Sequence, residues 1–229
     1  MPNHGPRNTR KNRNQLTYEL ERCRPADPLA RLLSGNKRFA KAWRLADGAS
    51  NSERGKHFSS FWVNNCYTRA YWLNQGQEPW AAIVGCADSR VSPEWVFDCV
   101  PSDLFVVRSA GNTAFAESIA SIEYAIEHLK VPLVMVLGHS SCGAVKAAVA
   151  AKASRSSVGS PALDTLVTPM FSSIDVNQDI NDNVKSNALT TATQLVSKSK
   201  IIGDAVTAGH VKVVAGYYDI LSGEVTVLA

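Results

Sequence analysis

Two short apolar runs organise the chain. Ala81–Val84 and Leu133–Leu137 are nearly free of polar residues, and each is followed at once by glycine and then by chemistry-bearing side chains. Runs of this length, bounded by turn signals, predict strands buried on both faces, as in the parallel sheet of an α/β protein. Leu104–Val107 and Val211–Tyr217 predict two more strands, and Glu224–Leu228 a hairpin strand returning through Ser222-Gly223.

Between them the apolar period changes to that of a helix. Leu29, Leu32, Leu33, Phe39 and Trp43 predict a helix over Pro28–Trp43. Ile119, Ile122, Ile126 and Leu129 predict another over Glu117–Leu129. Pro93–Cys99 has Ser92 as a candidate cap and Pro93 at its first position. Gly143–Ala153 is alanine-rich. Asn183–Lys200 places Val184, Leu189 and Leu195 inward, and Ile201–Ala208 is a further helical piece stopped by Gly209. Ala153–Asp182, rich in Ser, Asp and Asn, predicts a long loop with at most a short helical turn. Asn51–Trp80 carries Phe58, Phe61, Trp62, Tyr67, Tyr71 and Trp72 and predicts helix with a packed face; core packing alone would explain these aromatics, and a dimer interface is the preferred account. The order β-β-α-β-α-α-β-β gives an α/β fold: a mainly parallel sheet of four strands, an antiparallel edge strand, and helices on both faces.

Composition adds bounds rather than direction. With 45% apolar and 19% charged residues the chain is ordinary for a globular protein, and a net charge of +4 does not imply nucleic-acid binding. No run of roughly 18 apolar residues predicts a membrane span. Residues 1–27 read as a basic, flexible arm before a domain over 28–229. Its Arg7, Arg10, Lys11 and Arg13 fit either a solvated tail or a segment docking on an acidic protein partner. The five cysteines suggest no disulfide framework, so a cytoplasmic or other reducing compartment is expected. The basic, acid-poor start leaves organelle targeting open, although it holds Asn where transit peptides hold Ser.

The chemistry sits just past the two buried strands. Gly85 is followed by Cys86, Asp88 and Arg90. Gly138 is followed by His139, Cys142 and Gly143. If the strands are parallel neighbours, Cys86, His139 and Cys142 converge. Two thiolates and an imidazole form a zinc ligand set with one position open. Any one of them alone would be read as a buried core residue.

C-A-D-S-R followed by H-S-S-C-G resembles the β-class carbonic anhydrases, and the similarity runs from about Leu32 to the C-terminus. The resemblance implies one zinc ion per subunit on Cys86, His139 and Cys142, and reversible hydration of CO2 to bicarbonate and a proton by a zinc-bound hydroxide. It implies that Asp88 aims the reactive oxygen and Arg90 holds Asp88. In the family's closed arrangement the aspartate itself becomes the fourth zinc ligand. Gln77, Phe105, Tyr124 and Gly143 match the family's substrate pocket, with the glutamine reaching across a homodimer or higher oligomer. N-terminal helices of the family wrap over a second subunit. Where some relatives carry a tryptophan that builds a regulatory bicarbonate pocket, this chain has Ile83, so no such pocket and an open resting site are expected. His57, His128 and His210 are relay candidates for the released proton, none placed by motif. The competing readings are a hydrolase of COS or CS2 on the same scaffold and a non-catalytic zinc scaffold or sensor. A nucleotide-binding protein is set aside, since no G-x-G-x-x-G or P-loop follows a strand.

Overall fold

The computed structural model describes residues 24–59, 61 and 68–228. Most of the basic arm, Cys23, Trp62, Cys66 and Tyr67 lie outside the described residues. Among the described residues five strands form one sheet: β1 (Ala81–Cys86), β2 (Leu104–Ser109), β3 (Leu133–His139), β4 (Lys212–Tyr218) and β5 (Val225–Leu228). Their spatial order is β2-β1-β3-β4-β5, with β1 to β4 parallel and β5 antiparallel at the edge. The predicted sheet is therefore present, and its two most apolar runs are its fully buried central pair, β1 and β3.

The helices are α1 (Pro28–Asp47), α2 (Asn51–Phe58), α3 (Ala70–Leu73), α4 (Pro93–Val96), α5 (Ala116–Glu127), α6 (Gly143–Ser154), α7 (Pro161–Val167), α8 (Ile180–Lys198) and α9 (Lys200–Thr207). Alternation along each strand sends side chains to two cores. Ala82, Val84, Val134, Val136 and Ala215 pack under Ile122 and Ile126 of α5, Leu195 of α8 and Ile202 of α9. Ala81, Ile83, Leu133, Met135 and Tyr218 face the other way, against Leu32 and Phe39 of α1 and Val96 of α4.

α1 starts as its sequence directs: Asp27 accepts a hydrogen bond from the Ala30 N–H, and Pro28 takes the first turn. Asn36 ties it to its own chain, donating to the carbonyls of Val96 and Gly223 and accepting from the Val225 N–H. Gly35 lets the helix approach this closely. A Cβ there would lie 1.8 Å from the Phe97 carbonyl oxygen. Gly35→Ala is expected to destabilise at the upper end of about 1–3 kcal/mol, seen as a lowered Tm with metal binding retained.

Four expectations need correction. Ala153–Asp182 is not mainly loop: it contains α7, begun by Ser160 accepting from the Leu163 N–H, and a 3₁₀ turn at Thr168–Ser172. Leu189 of α8 is not inward. It is 37% exposed, and the buried positions are Asn183, Val184, Asn187, Ala188, Thr191 and Leu195. Ser92 precedes α4 without a side-chain capping bond, and α4 stops at Val96. Within Asn51–Trp80 the described residues form only two short helices, α2 and α3.

Candidate metal centre

The parallel pairing of β1 with β3 sets Gly85 beside Leu137. This brings the carboxyl ends of the two strands together, where ligands of open α/β sheets sit. Cys86 closes β1, His139 closes β3, and Cys142 precedes α6. Their ligand atoms lie within 4.8 Å of one another, and all three residues are buried. Val145 and Ala148 of α6, Val167, Met170 and Ile174 pack around the two cysteines and keep the centre dry on that side.

The donor chemistry fits a metal ion. The Nδ1 of His139 lies 3.0 Å from the Ser140 carbonyl. A carbonyl only accepts, so Nδ1 carries the proton and Nε2 presents its lone pair. That Nε2 is buried and has no hydrogen-bond partner among the described residues. An orphaned buried acceptor facing two thiols is costly without a cation. The thiols interact as well. A hydrogen bond from Cys142 pushes Cys86 down, against burial and with help from the N–H groups of Gly111 and Asp88. The same contact, with burial, pushes Cys142 up. The two thiols thus oppose each other's ionisation, and a divalent cation between them would let both ionise.

Asp88 stands at the rim of the centre. One carboxylate oxygen lies 3.8 Å from His139 Nε2. Both oxygens are held by Arg90, whose Nε donates at 2.9 Å and whose terminal NH2 donates at 2.6 Å. The backbone N–H of Arg90 adds a third bond at 2.9 Å. These bonds, from the Arg90 side chain above all, hold Asp88 well below the usual carboxylate range.

Sequence reasoning missed two parts of this frame. Arg108, at the end of β2, donates to the carbonyls of Cys86 and Asp88 at 2.9 and 2.7 Å and so fixes the path of the chain between ligand and carboxylate. The only sequence signal was a lone arginine ending an apolar strand. Gly111 donates its N–H to Cys86 Sγ at 3.3 Å. It has φ +77°, and a Cβ there would meet Met170 Sδ at 2.8 Å, so only glycine fits.

The pocket residues suggested by motif fall in two places. Gly143, exposed, opens α6 beside Cys142. Gln77, Phe105 and Tyr124 lie elsewhere. Phe105 pairs with Ala82, four residues before Cys86, which is about 13 Å along the strand. Tyr124 packs against Phe105 in a tilted pair with ring centroids 6.2 Å apart, neighbours His128 at 5.1 Å and is half exposed. Gln77, also exposed, precedes the opposite end of β1. Ile83 is fully buried in the core facing α1.

A mainly parallel α/β sheet carrying a Cys–His–Cys cluster on adjoining strand ends defines an α/β protein with a metal-competent centre. The comparisons with known proteins narrow this further. The family model described as carbonic anhydrase matches residues 81–225, and the chain belongs to the carbonic anhydrase family. It is 37% identical over 155 residues to carbonic anhydrase 2 of Mycobacterium tuberculosis, covering 66% of this chain and 75% of that one. It is equally 37% identical over 158 residues to a carbonic anhydrase of Mycolicibacterium smegmatis, covering 67% and 76%. Among solved structures, the β-carbonic anhydrase CcaA is similar with a TM-score of 0.61 at 26% identity, over 82% of this chain and 87% of that one. The resemblance to the β class read from the motifs is thus shown. No described helix is long and apolar enough to cross a membrane.

Proposed function

We propose that this chain catalyses the reversible hydration of CO2 to bicarbonate and a proton, using one zinc ion held by Cys86, His139 and Cys142. The observation that carries the reading is the buried donor triad, with His139 Nδ1 anchored and Nε2 unpartnered among the described residues. Zinc, when bound, supplies Lewis acidity that brings the pKa of water from about 15.7 toward 7.

The chain's own residues do the rest. Asp88 is an acceptor beside the point where the three donors converge. It takes a hydrogen bond from the attacking water and turns that water's lone pair toward the carbon of CO2. Arg90 keeps the carboxylate ionised and occupies both its oxygens, so Asp88 does not itself close the site. This supports the open resting arrangement. Gly143, without a side chain and with open space where a Cβ would stand, leaves room for a substrate oxygen next to Cys142.

Gln77, Phe105 and Tyr124 enter this reading only through a second copy of the chain. They lie toward the far end of β1 from Cys86, beyond side-chain reach of this chain's own centre. An apolar wall with one amide suits CO2, which has no charge to grip. We therefore assign the active unit as at least a homodimer, each site completed by Phe105, Tyr124 and Gln77 of its neighbour.

The test is stopped-flow hydration of CO2 in a pH-indicator buffer, beside sulfide release from COS. Fast CO2 hydration that vanishes on removing the metal with a chelator is the expected result. Rapid COS turnover with negligible CO2 turnover would overturn the assignment in favour of the hydrolase, and no turnover of either by zinc-loaded protein would favour the scaffold.

A further inference from the structure

Beside the apolar contact of Val184 with Cys86 and Cys142, the long helix α8 uses two amides to hold the loop after β2, which touches Cys86, and the turn between His139 and Cys142. Asn187 is 2% exposed. Its Nδ2 donates to the Gly111 carbonyl at 2.8 Å, and its Oδ1 accepts from Ser173 Oγ at 3.2 Å. The N–H of the same Gly111 donates to Cys86 Sγ at 3.3 Å. Nearer the start of the helix, Asn181 Oδ1 accepts from the Ser141 N–H at 2.9 Å. Ser141 lies between His139 and Cys142 and has φ +55°, a left-handed conformation that a serine holds only when its surroundings impose it. Arg90 donates to the Ser141 carbonyl at 3.3 Å, so this residue is gripped on both sides of its Cα.

We infer that Asn187 and Asn181 are positioning residues: α8 sets the geometry and electronics of the metal centre by fixing Gly111 against the Cys86 sulfur and Ser141 between the other two ligands. The inference rests on the metal reading above and extends it to a helix that carries no ligand. Two physical consequences follow. Fixing Gly111 keeps an N–H aimed at a thiolate. That bond holds the Cys86 sulfur in place before metal arrives, which favours binding, and by drawing electron density from the sulfur it keeps the bound cation a stronger Lewis acid. Fixing Ser141 removes the freedom of the His139–Cys142 turn before metal arrives. Binding then does not have to order the turn, which strengthens affinity without adding a ligand. The two amides are six residues apart, about 120° around the helix at 100° per residue, so one helix reaches both loops at once.

Leu195 provides the control. It is fully buried on the same helix, eight residues and about 12 Å beyond Asn187, and packs only in the core under the sheet. Leu195→Val loosens α8 without touching either ligand loop.

The experiment measures Zn2+ affinity by chelator competition for the full chain and for Asn187→Leu, Asn181→Leu, Asn181→Asp and Leu195→Val, each confirmed folded by circular dichroism. It also records the sulfur-to-metal charge-transfer band of the Co2+-loaded proteins. Asn187→Leu and Asn181→Leu are expected to weaken Zn2+ binding by about 10–100-fold. Asn181→Asp keeps the acceptor and is expected to restore most of the loss. Asn187→Leu alone should move the charge-transfer band to lower energy, because its sulfur loses the aimed N–H. Leu195→Val should lower Tm while leaving affinity and band unchanged. Wild-type affinity in both leucine variants, or an equal loss in Leu195→Val, would overturn the inference. Failure of the unaltered chain to bind Zn2+ or Co2+ would instead overturn the metal reading beneath it.

Discussion

Cys86→Ser is expected to abolish CO2 hydration and to leave the purified protein without its metal, while the fold persists. Serine nearly matches cysteine in size, so the end of β1 and its pairing with β2 and β3 stay in place. The change is chemical. A thiolate is a soft, readily ionised ligand, whereas an alcohol stays protonated at neutral pH and competes poorly with water for a zinc ion. One thiol and one imidazole remain, too few for the closed side of a tetrahedral site. The Gly111 N–H also loses its sulfur acceptor. Metal content by mass spectrometry and stopped-flow hydration check this. A variant that kept both metal and turnover would remove Cys86 from the centre.

Asp88→Asn separates metal binding from catalysis. It leaves all three candidate ligands untouched, so metal should be retained. The amide is close to the carboxylate in shape, but it cannot accept on both sides and presents N–H donors to Arg90, itself only a donor. The paired bonds at 2.9 and 2.6 Å are lost, and with them the fixed acceptor beside His139 Nε2. Turnover is expected to fall by about 10²–10⁴-fold, the span typical for removing a positioned proton acceptor. Loss of metal together with activity would mean that Asp88 serves the centre as a ligand rather than as an orienting group.

Much of this was legible in the chain. β1 and β3 could be read because strands buried on both faces must be apolar at every position. The candidate centre could be read because C-A-D-S-R and H-S-S-C-G each follow such a strand, and neighbouring parallel strands deliver their ends to one place. What escaped were residues whose role is set by what they touch. Apolar periodicity assigned α8 to Val184, Leu189 and Leu195, yet half of its buried residues are polar, Asn183, Asn187 and Thr191, and the two asparagines are spent on backbone groups of the loops. No hydrophobic count finds a helix that is buried for its hydrogen bonds. Arg108 escaped for the same reason, since its partners are two carbonyls some 20 residues earlier. The helix α7 did carry a local signal, Ser160 before Pro161 with Asp164 in the first turn, but the surrounding serines and glycine diluted it. The distance of Phe105 and Tyr124 from Cys86 needed the β1–β2 register, which motif spacing does not contain.

The most direct test is elemental analysis of the reduced, chelator-washed chain, reloaded with a single equivalent of Zn2+. Zinc retained at one ion per chain, and displaced only when Cys86, His139 or Cys142 is replaced, is the predicted result. Protein that retained no stoichiometric metal, or that retained it undiminished in all three variants, would contradict the account.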